Sequence, residues 1–200
     1  MFATTGHTET ATTNYKAVLP FYGYAALAFL AACILLLFSA ADISGHYFLP
    51  HNLAIIHTMA LGWGTMVILG ASHQLIPVLI EGKLYSHRLA YISFVLAATG
   101  IPLLTYGFYV FDMGRPAQWG GIGIIAAIIA YGVNLAMSMV KSKHENVHAF
   151  FVFTAAIWLL ATAIVGLLLV YNFTYPLLQQ SSLAYLSLHA HIGIVGWFLL

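Results

Sequence analysis

Three histidines lie inside long apolar stretches of the sequence, where an imidazole has few partners other than a metal or another polar side chain. They are His57, His189 and His191. A neutral imidazole suits iron and copper equally, and ionisable side chains at membrane depth mark functional sites. The chain has ten histidines against six Lys and Arg residues together. This excess of imidazole in an apolar chain predicts a metal or cofactor site.

The spacing of these histidines decides which of them can share a ligand. His189 and His191 are two residues apart, about 200° around a helix, so their side chains point to nearly opposite faces. They can bind two different metals on opposite sides of the helix, or one can bind a metal while the other makes a structural hydrogen bond. Gly193 and Gly196 follow His189 on its own face. Such small residues leave room for a flat macrocycle, and they are equally typical of helices that pack closely in membranes.

A seven-residue pattern occurs twice in the sequence. HTMALGW begins at His57 and HIGIVGW begins at His191, so both read His-x4-Gly-Trp. Repetition of this kind predicts a common structural unit. The two tryptophans, Trp63 and Trp197, are candidates for packing against a bound ring, although membrane tryptophans more often serve in packing or at the interface.

The elements that must hold these residues are membrane helices. Hydrophobic residues make up 62% of the 200 residues, charged residues make up 6%, and the mean hydropathy is +0.94. The apolar residues form six blocks of about 20 residues, which is the helix length that crosses a hydrocarbon core. The blocks lack the alternation of apolar and polar residues that the strands of a membrane β-barrel show. The low fraction of charged residues excludes a soluble α/β enzyme. The predicted fold is an all-α, polytopic transmembrane helix bundle.

Six spans are predicted after a polar cytoplasmic tail at residues 1–16, within a transmembrane domain of residues 17–200. The spans cover residues 18–41, 52–79, 89–111, 119–140, 147–170 and 183–200. The segment DMGRPAQ, residues 112–118, is predicted as a turn by its composition. The last block has no helix-ending signal, so we expect the 200 residues to be the N-terminal part of a longer polypeptide.

Basic residues are concentrated on one side of the predicted bundle. The tail and two of the loops on its side hold five of them, and the opposite loops hold only Arg115. The five are Lys16, Lys83, Arg88, Lys141 and Lys143. By the positive-inside rule, we expect a cytoplasmic N-terminus in a bacterial inner (plasma) membrane. His57 then lies roughly 8 Å below the outer surface and the later pair roughly 9 to 12 Å below it, in one layer.

This arrangement resembles the catalytic subunit of the haem-copper oxidase superfamily, cytochrome c oxidase subunit I, particularly its C-type branch and the related NnrS-like haem and copper membrane proteins. The family places a haem-ligating histidine on its second helix, as His57 is here. Its later haem helix reads His-x-His and then Gly-Trp, as His189-Ala190-His191 and Gly196-Trp197 do. The run from His57 through Gly62-Trp63 to Pro77 resembles the same helix.

The resemblance implies a protein of about twelve helices, of which this chain is the N-terminal half. It implies a b-type haem with His57 and His191 as axial ligands, and His189 as the ligand of a second haem or of copper. The function implied is respiratory electron transport, with oxygen or nitric oxide as the ligand of an oxidoreductase. Cytochrome c or a quinol is then the electron donor, and other oxidase-type subunits are partners.

A weaker group of histidines lies at the predicted cytoplasmic helix ends. It consists of His73, His144 and His148, of which the last two are four residues apart and can share a ligand on one helix face. Histidines in loops and at membrane interfaces are more often simply hydrated. A metal site here is therefore the lesser expectation.

Two other functions compete with the oxidase-like one. A cytochrome b-like quinol-handling carrier needs histidine pairs at two depths of the membrane. A non-redox transporter or assembly subunit would use its histidines only for hydrogen bonds between helices. The net charge of +1, without a Lys/Arg cluster or a phosphate-binding loop, excludes a nucleic-acid partner and leaves membrane lipid as the general one.

Overall fold

The computed structural model describes residues 15–142 and 147–200, and over these residues the chain is helical without strands. The all-α prediction is thereby confirmed. Five helices are long and apolar enough to cross a membrane, because each pairs its own backbone groups along an apolar stretch. They are α1 (Tyr15–Phe38), α3 (Pro50–Leu79), α4 (His87–Tyr109), α5 (Arg115–Val140) and α6 (Val147–Thr174), and the short α2 (Ala40–Ile43) lies between the first two.

The sixth predicted span is shorter than the other five. A 3-10 turn at Ser182–Tyr185 leads into α7, Leu186–Gly193, which continues as a π-helical turn at Ile194–Phe198. Five spans are therefore shown by length and composition. The sixth span stays a prediction, as does the longer polypeptide.

Two boundaries differ by four residues from those expected from composition, and the other ends of the five long helices differ by at most three. α5 begins at Arg115, inside the predicted turn of residues 112–118. Pro116 fits in its first turn, because the N–H groups at a helix start have no partner within the helix and proline merely lacks one of them. α6 continues to Thr174, four residues beyond its predicted end. Of the predicted tail, only Tyr15 and Lys16 belong to the described residues, and both are helical.

The closest helix pair, α4 and α5, meets at glycines. A Cβ on Gly120 would lie 2.4 Å from the backbone nitrogen of Leu104, and one on Gly100 would lie 2.8 Å from the Gly120 carbonyl oxygen. Only glycine fits at such contacts, which is the usual device for close helix packing in membranes. This pair forms one wall of the bundle.

The helices alternate in direction, so the bundle has two ends. The Asp42 end, as we name it, carries the connections at residues 39–49, 110–114 and 175–181, and the Glu81 end carries that at residues 80–86. α3 and α7 both run from the Asp42 end towards the Glu81 end. α7 packs along α6 and approaches α3 at only a few side chains.

Candidate functional site

A cavity of about 370 Å³ lies between α3, α6 and α7. It extends from the loops at the Asp42 end, where Tyr47 and Phe48 line it, to Trp197 in the interior of the bundle. Its walls are almost entirely apolar, and its volume is typical of small-molecule and cofactor sites. The polar side chains in the lining are few, and two of them are the imidazoles of His57 and His189.

His57 is half-buried on α3 and faces this cavity. Its Nδ1 donates a hydrogen bond of 2.8 Å to the Leu53 carbonyl, one helical turn earlier. The edge of its ring meets Phe108 of α4, with ring centres 4.7 Å apart. A hydrogen bond from Nδ1 to a carbonyl fixes the tautomer and leaves Nε2 with a free lone pair, which is the usual state of a metal-binding histidine.

His189 faces His57 from the opposite wall. The two ring centres are 6.3 Å apart and the ring planes differ by 13°. Two imidazoles that bind one metal from opposite sides, each through a bond of about 2 Å, have ring centres about 6 Å apart. The separation of the two ring centres is thus compatible with one metal between them.

The surroundings of His189 leave one of its ring nitrogens unused. The imidazole lies beside a backbone group of Thr162, while Nδ1 is buried and makes no hydrogen bond. A buried polar atom without a partner costs free energy, and a ligand that takes its lone pair removes that cost. The donor set of two such imidazoles in a dry cavity fits a b-type haem.

Gly166 of α6 makes the space for the His189 ring. A Cβ on Gly166 would lie 2.8 Å from Cε1 of His189, which is closer than real side chains approach one another. A residue with any side chain at this position would push the imidazole towards His57 or along the helix. Sequence reasoning missed this glycine, because nothing distinguishes it from the other 16 glycines of the chain.

His191 lies on the opposite face of α7 and does not line the cavity. Its ring is exposed, and its Nδ1 donates to the Ser187 carbonyl at 2.7 Å. The structure thus brings His57 together with His189 and not with His191. That His57 and His191 share one iron stays a prediction, and the geometry favours His189 in place of His191.

The two tryptophans of the repeated motif have different surroundings. Trp197 is 4% exposed and lines the cavity, and its Nε1 donates to Oγ1 of Thr65 at 3.0 Å. Trp63 is 43% exposed and lies against Phe29 of α1, with ring centres 5.4 Å apart. Only Trp197 is placed to contact a molecule in the cavity.

Both copies of the motif include a π-helical turn, which sequence reasoning did not anticipate. The turns cover Thr58–Thr65 in α3 and Ile194–Phe198 after α7. Single π turns inside longer helices occur frequently at functional sites. Their presence in both walls of the cavity is a second indication that this region binds a ligand.

The weaker histidine group does not form a comparable site. His73 is buried, with Phe21 and Tyr131 at ring-centre distances of 5.2 and 5.3 Å, and the space beside it is too small for even a water-sized molecule. His148 is exposed in the first turn of α6, and His144 lies outside the described residues. Over residues 15–142 and 147–200, no three His, Cys, Asp or Glu side chains are grouped to hold a metal ion.

Polar and aromatic contacts organise the mouth of the cavity at the Asp42 end. Nδ1 of His51 and Oδ2 of Asp42 form a hydrogen bond of 2.5 Å, which ties the connection after α1 to the start of α3. Phe48 from that connection packs against Phe173 of α6, with parallel rings 5.8 Å apart, and against Phe111 at 6.2 Å. These rings restrict entry from the end of the bundle.

Comparison with known proteins found no match for this chain among family models, curated proteins or solved structures. The likeness to the haem-copper oxidase superfamily therefore remains a resemblance in short motifs.

Proposed function

We propose that this chain is an integral membrane b-type haem protein that transfers electrons, with His57 and His189 as the axial ligands of a low-spin haem. The observation that supports it is the pair of nearly parallel imidazoles, with ring centres 6.3 Å apart, which both line one apolar cavity. When bound, the haem supplies a one-electron couple.

The groups around the cavity have separate roles in this proposal. The Leu53 carbonyl holds the His57 ring in one orientation, and Gly166 gives the His189 ring its space. The apolar walls exclude water, which sets the local dielectric and so tunes the reduction potential. With a histidine on each side, no open coordination position is left here, so electron transfer is favoured over binding of oxygen or nitric oxide.

The resemblance extends the proposal beyond this one site. A second haem or a copper ion, as in the oxidase-like class, would be bound at His191, whose ring is exposed on the other face of α7. Oxidoreductase chemistry with oxygen or nitric oxide would take place at that second metal. A cytochrome c or a quinol would supply electrons, and other oxidase-type subunits would be partners.

The placement of the chain in the membrane is part of the same proposal. The five-to-one distribution of basic residues supports a cytoplasmic N-terminus, with the Asp42 end outside, and the membrane proposed is a bacterial inner membrane. A topology reporter inserted at Lys143 should then read cytoplasmic, and one inserted between residues 177 and 180 should read external. The reverse result would overturn the orientation and leave the haem site unaffected.

The decisive experiment is an absorption spectrum of the purified chain, with three single alanine variants. His57→Ala and His189→Ala should each abolish the reduced-minus-oxidised b-type spectrum, because each removes one axial ligand. His191→Ala is the matched control, two residues away on the same helix, and should retain the spectrum. A parent protein that binds no haem would refute the proposal, and loss of the spectrum in His191→Ala but not in His189→Ala would restore the pairing of His57 with His191.

The two competing functions have less support from the geometry. A cytochrome b-like carrier needs a second histidine pair nearer the Glu81 end, and His73, the buried histidine there, has no space beside it for a macrocycle. A transporter or assembly subunit would use histidines as hydrogen bonds between helices. His57 and His191 instead bond to carbonyls of their own helices, and among the three histidines only His189 meets the backbone of another helix, at Thr162 of α6.

A further inference from the structure

A hydrogen bond between α3 and α7 closes the cavity on the side away from the Asp42 end. Nε1 of Trp197 donates to Oγ1 of Thr65 at 3.0 Å, and these residues are 4% and 5% exposed. Beside this bond the ring of Phe198 lies over Gly64, where a Cβ would come within 2.9 Å of the Phe198 Cε1. The two helices therefore meet closely at the inner end of the cavity.

The two residues of this hydrogen bond follow the two histidines at the same spacing in the sequence. Thr65 follows His57 by eight residues, and Trp197 follows His189 by eight residues. Because α3 and α7 run in the same direction, the bond lies about two helical turns along each helix from the two imidazoles. A slip of α7 by one residue, about 1.5 Å, would break the bond and carry His189 out of register with His57.

Direct contacts between α7 and α3 are few, and the ring of Phe198 over Gly64 is the close one beside this hydrogen bond. The packing of α7 is mainly against α6, and its approach to α3 is confined to a few side chains. Thr65 and Trp197 both belong to π-helical turns, and both side chains line the cavity. A buried hydrogen bond in an apolar environment is directional, so it fixes both the height and the rotation of one helix against the other.

We propose that Thr65 and Trp197 are positioning residues, whose hydrogen bond sets the axial register and the mutual angle of the His57 and His189 imidazoles. The inference rests on the proposed function, since it assigns these residues to the same haem site. Their role is to hold α7 so that the two rings stay nearly parallel at 6.3 Å.

The test uses three variants of the complete chain loaded with haem. Thr65→Val keeps the shape of the side chain and removes the acceptor, Thr65→Ser keeps the hydroxyl, and Trp197→Phe removes the donor. Thr65→Val and Trp197→Phe should change the low-spin EPR spectrum, which depends on the angle between the imidazole planes. They should also weaken haem retention about tenfold, the loss that corresponds to one buried hydrogen bond. Thr65→Ser should restore the parental spectrum and retention.

A measurement without haem separates this inference from the proposed function. Spin labels at the exposed positions Leu75 of α3 and Leu188 of α7 report the register of the two helices in the haem-free protein. Their distance distribution should broaden in Thr65→Val and not in Thr65→Ser. A pair at Leu75 and Val95 of α4 is the control and should stay unchanged.

The outcomes distinguish the two ideas. If the parent protein binds no haem, the proposed function fails, and broadening confined to Thr65→Val would still support the hydrogen bond as the device that sets helix register. If the parent protein binds haem, a parental EPR spectrum in Thr65→Val would overturn the positioning role. Equal disturbance by Thr65→Val and Thr65→Ser would also overturn it, because packing and not the hydroxyl would then be responsible.

Discussion

The two copies of His-x4-Gly-Trp share a sequence pattern and a π-helical turn, but they present opposite ends to the cavity. In the first copy His57 faces the cavity and Trp63 is turned outward against α1. In the second copy His191 is exposed and Trp197 is buried against Thr65. The histidine of α7 that faces His57 is His189, which precedes the second copy.

The difference has a local cause in the backbone. In α3 the π-helical turn begins at Thr58, directly after the histidine, whereas in α7 it begins at Ile194, three residues after His191. A π turn shifts the phase of all residues that follow it, because its hydrogen bonds span five residues instead of four. Equal spacing in sequence therefore does not give equal orientation. The two copies of the motif therefore share a π turn, while the packing of neighbouring helices determines which of their side chains lines the cavity.

The largest expected effect comes from removing the imidazole of α7 that lies beside His57 and supplying imidazole from solution. His189→Gly should lose the low-spin b-type spectrum, and free imidazole should restore it by occupying the vacated ligand position. His191→Gly should keep its spectrum before and after the addition. Absorption spectra of the reduced proteins measure this, and rescue of the His191 variant alone would reverse the comparison of the two copies.

A smaller effect is expected from filling the space beside His189. Gly166→Ala should reduce haem occupancy about tenfold or more, because overpacking of a tight site costs about 1 to 3 kcal/mol and the nearest atom is the ring itself. Gly132→Ala is the control, since a Cβ there has no atom within 4 Å. Haem-to-protein ratios after purification measure the difference. Equal ratios in both variants would show that the His189 ring moves without loss of binding.

The two tryptophans should differ in their contribution to stability. Trp197→Ala should lower the free energy of unfolding by about 3 kcal/mol, as expected for a large buried side chain that also loses a hydrogen bond. Trp63→Ala should lower it by less than about 1 kcal/mol, because 43% of the side chain is exposed. Unfolding in mixed detergent micelles measures both values. Similar costs would mean that the first copy is as tightly packed as the second.

The smallest effects concern the loops that lead into each copy. Asn172 accepts a hydrogen bond from the Leu178 backbone and donates to the Gln180 carbonyl and the Ser182 hydroxyl. Asn172→Ala should therefore cost about 1 to 2 kcal/mol and speed proteolysis between residues 175 and 181. His51→Ala, before the first copy, removes a partly exposed hydrogen bond to Asp42 and should cost less than about 1 kcal/mol. Faster cleavage in the His51 variant than in the Asn172 variant would contradict this order.

The sequence predicted the helices better than it predicted their contacts. Long apolar blocks without breakers specify membrane helices, because each helix satisfies its own backbone, and five of the six blocks have the length and composition to span. The opposite faces of His189 and His191 also follow from helical geometry. Helical geometry does not predict which of the two lies beside His57, because this depends on Gly166 of α6 and on π turns that no residue pattern indicates. The predicted start of α5 lies four residues too late. The segment of residues 112–118 has the composition of a turn, but it contains the proline that begins the helix.

The sparse contact between α3 and α7 bears on how such a protein would be assembled. The five long helices pack with one another independently of α7, whose own partner is α6. On the proposed function, a ligand that bridges His57 and His189 binds only the docked arrangement, and it therefore stabilises docking in proportion to its free concentration relative to its dissociation constant. Haem supply would then determine what fraction of the protein has α7 docked against α3 as it assembles.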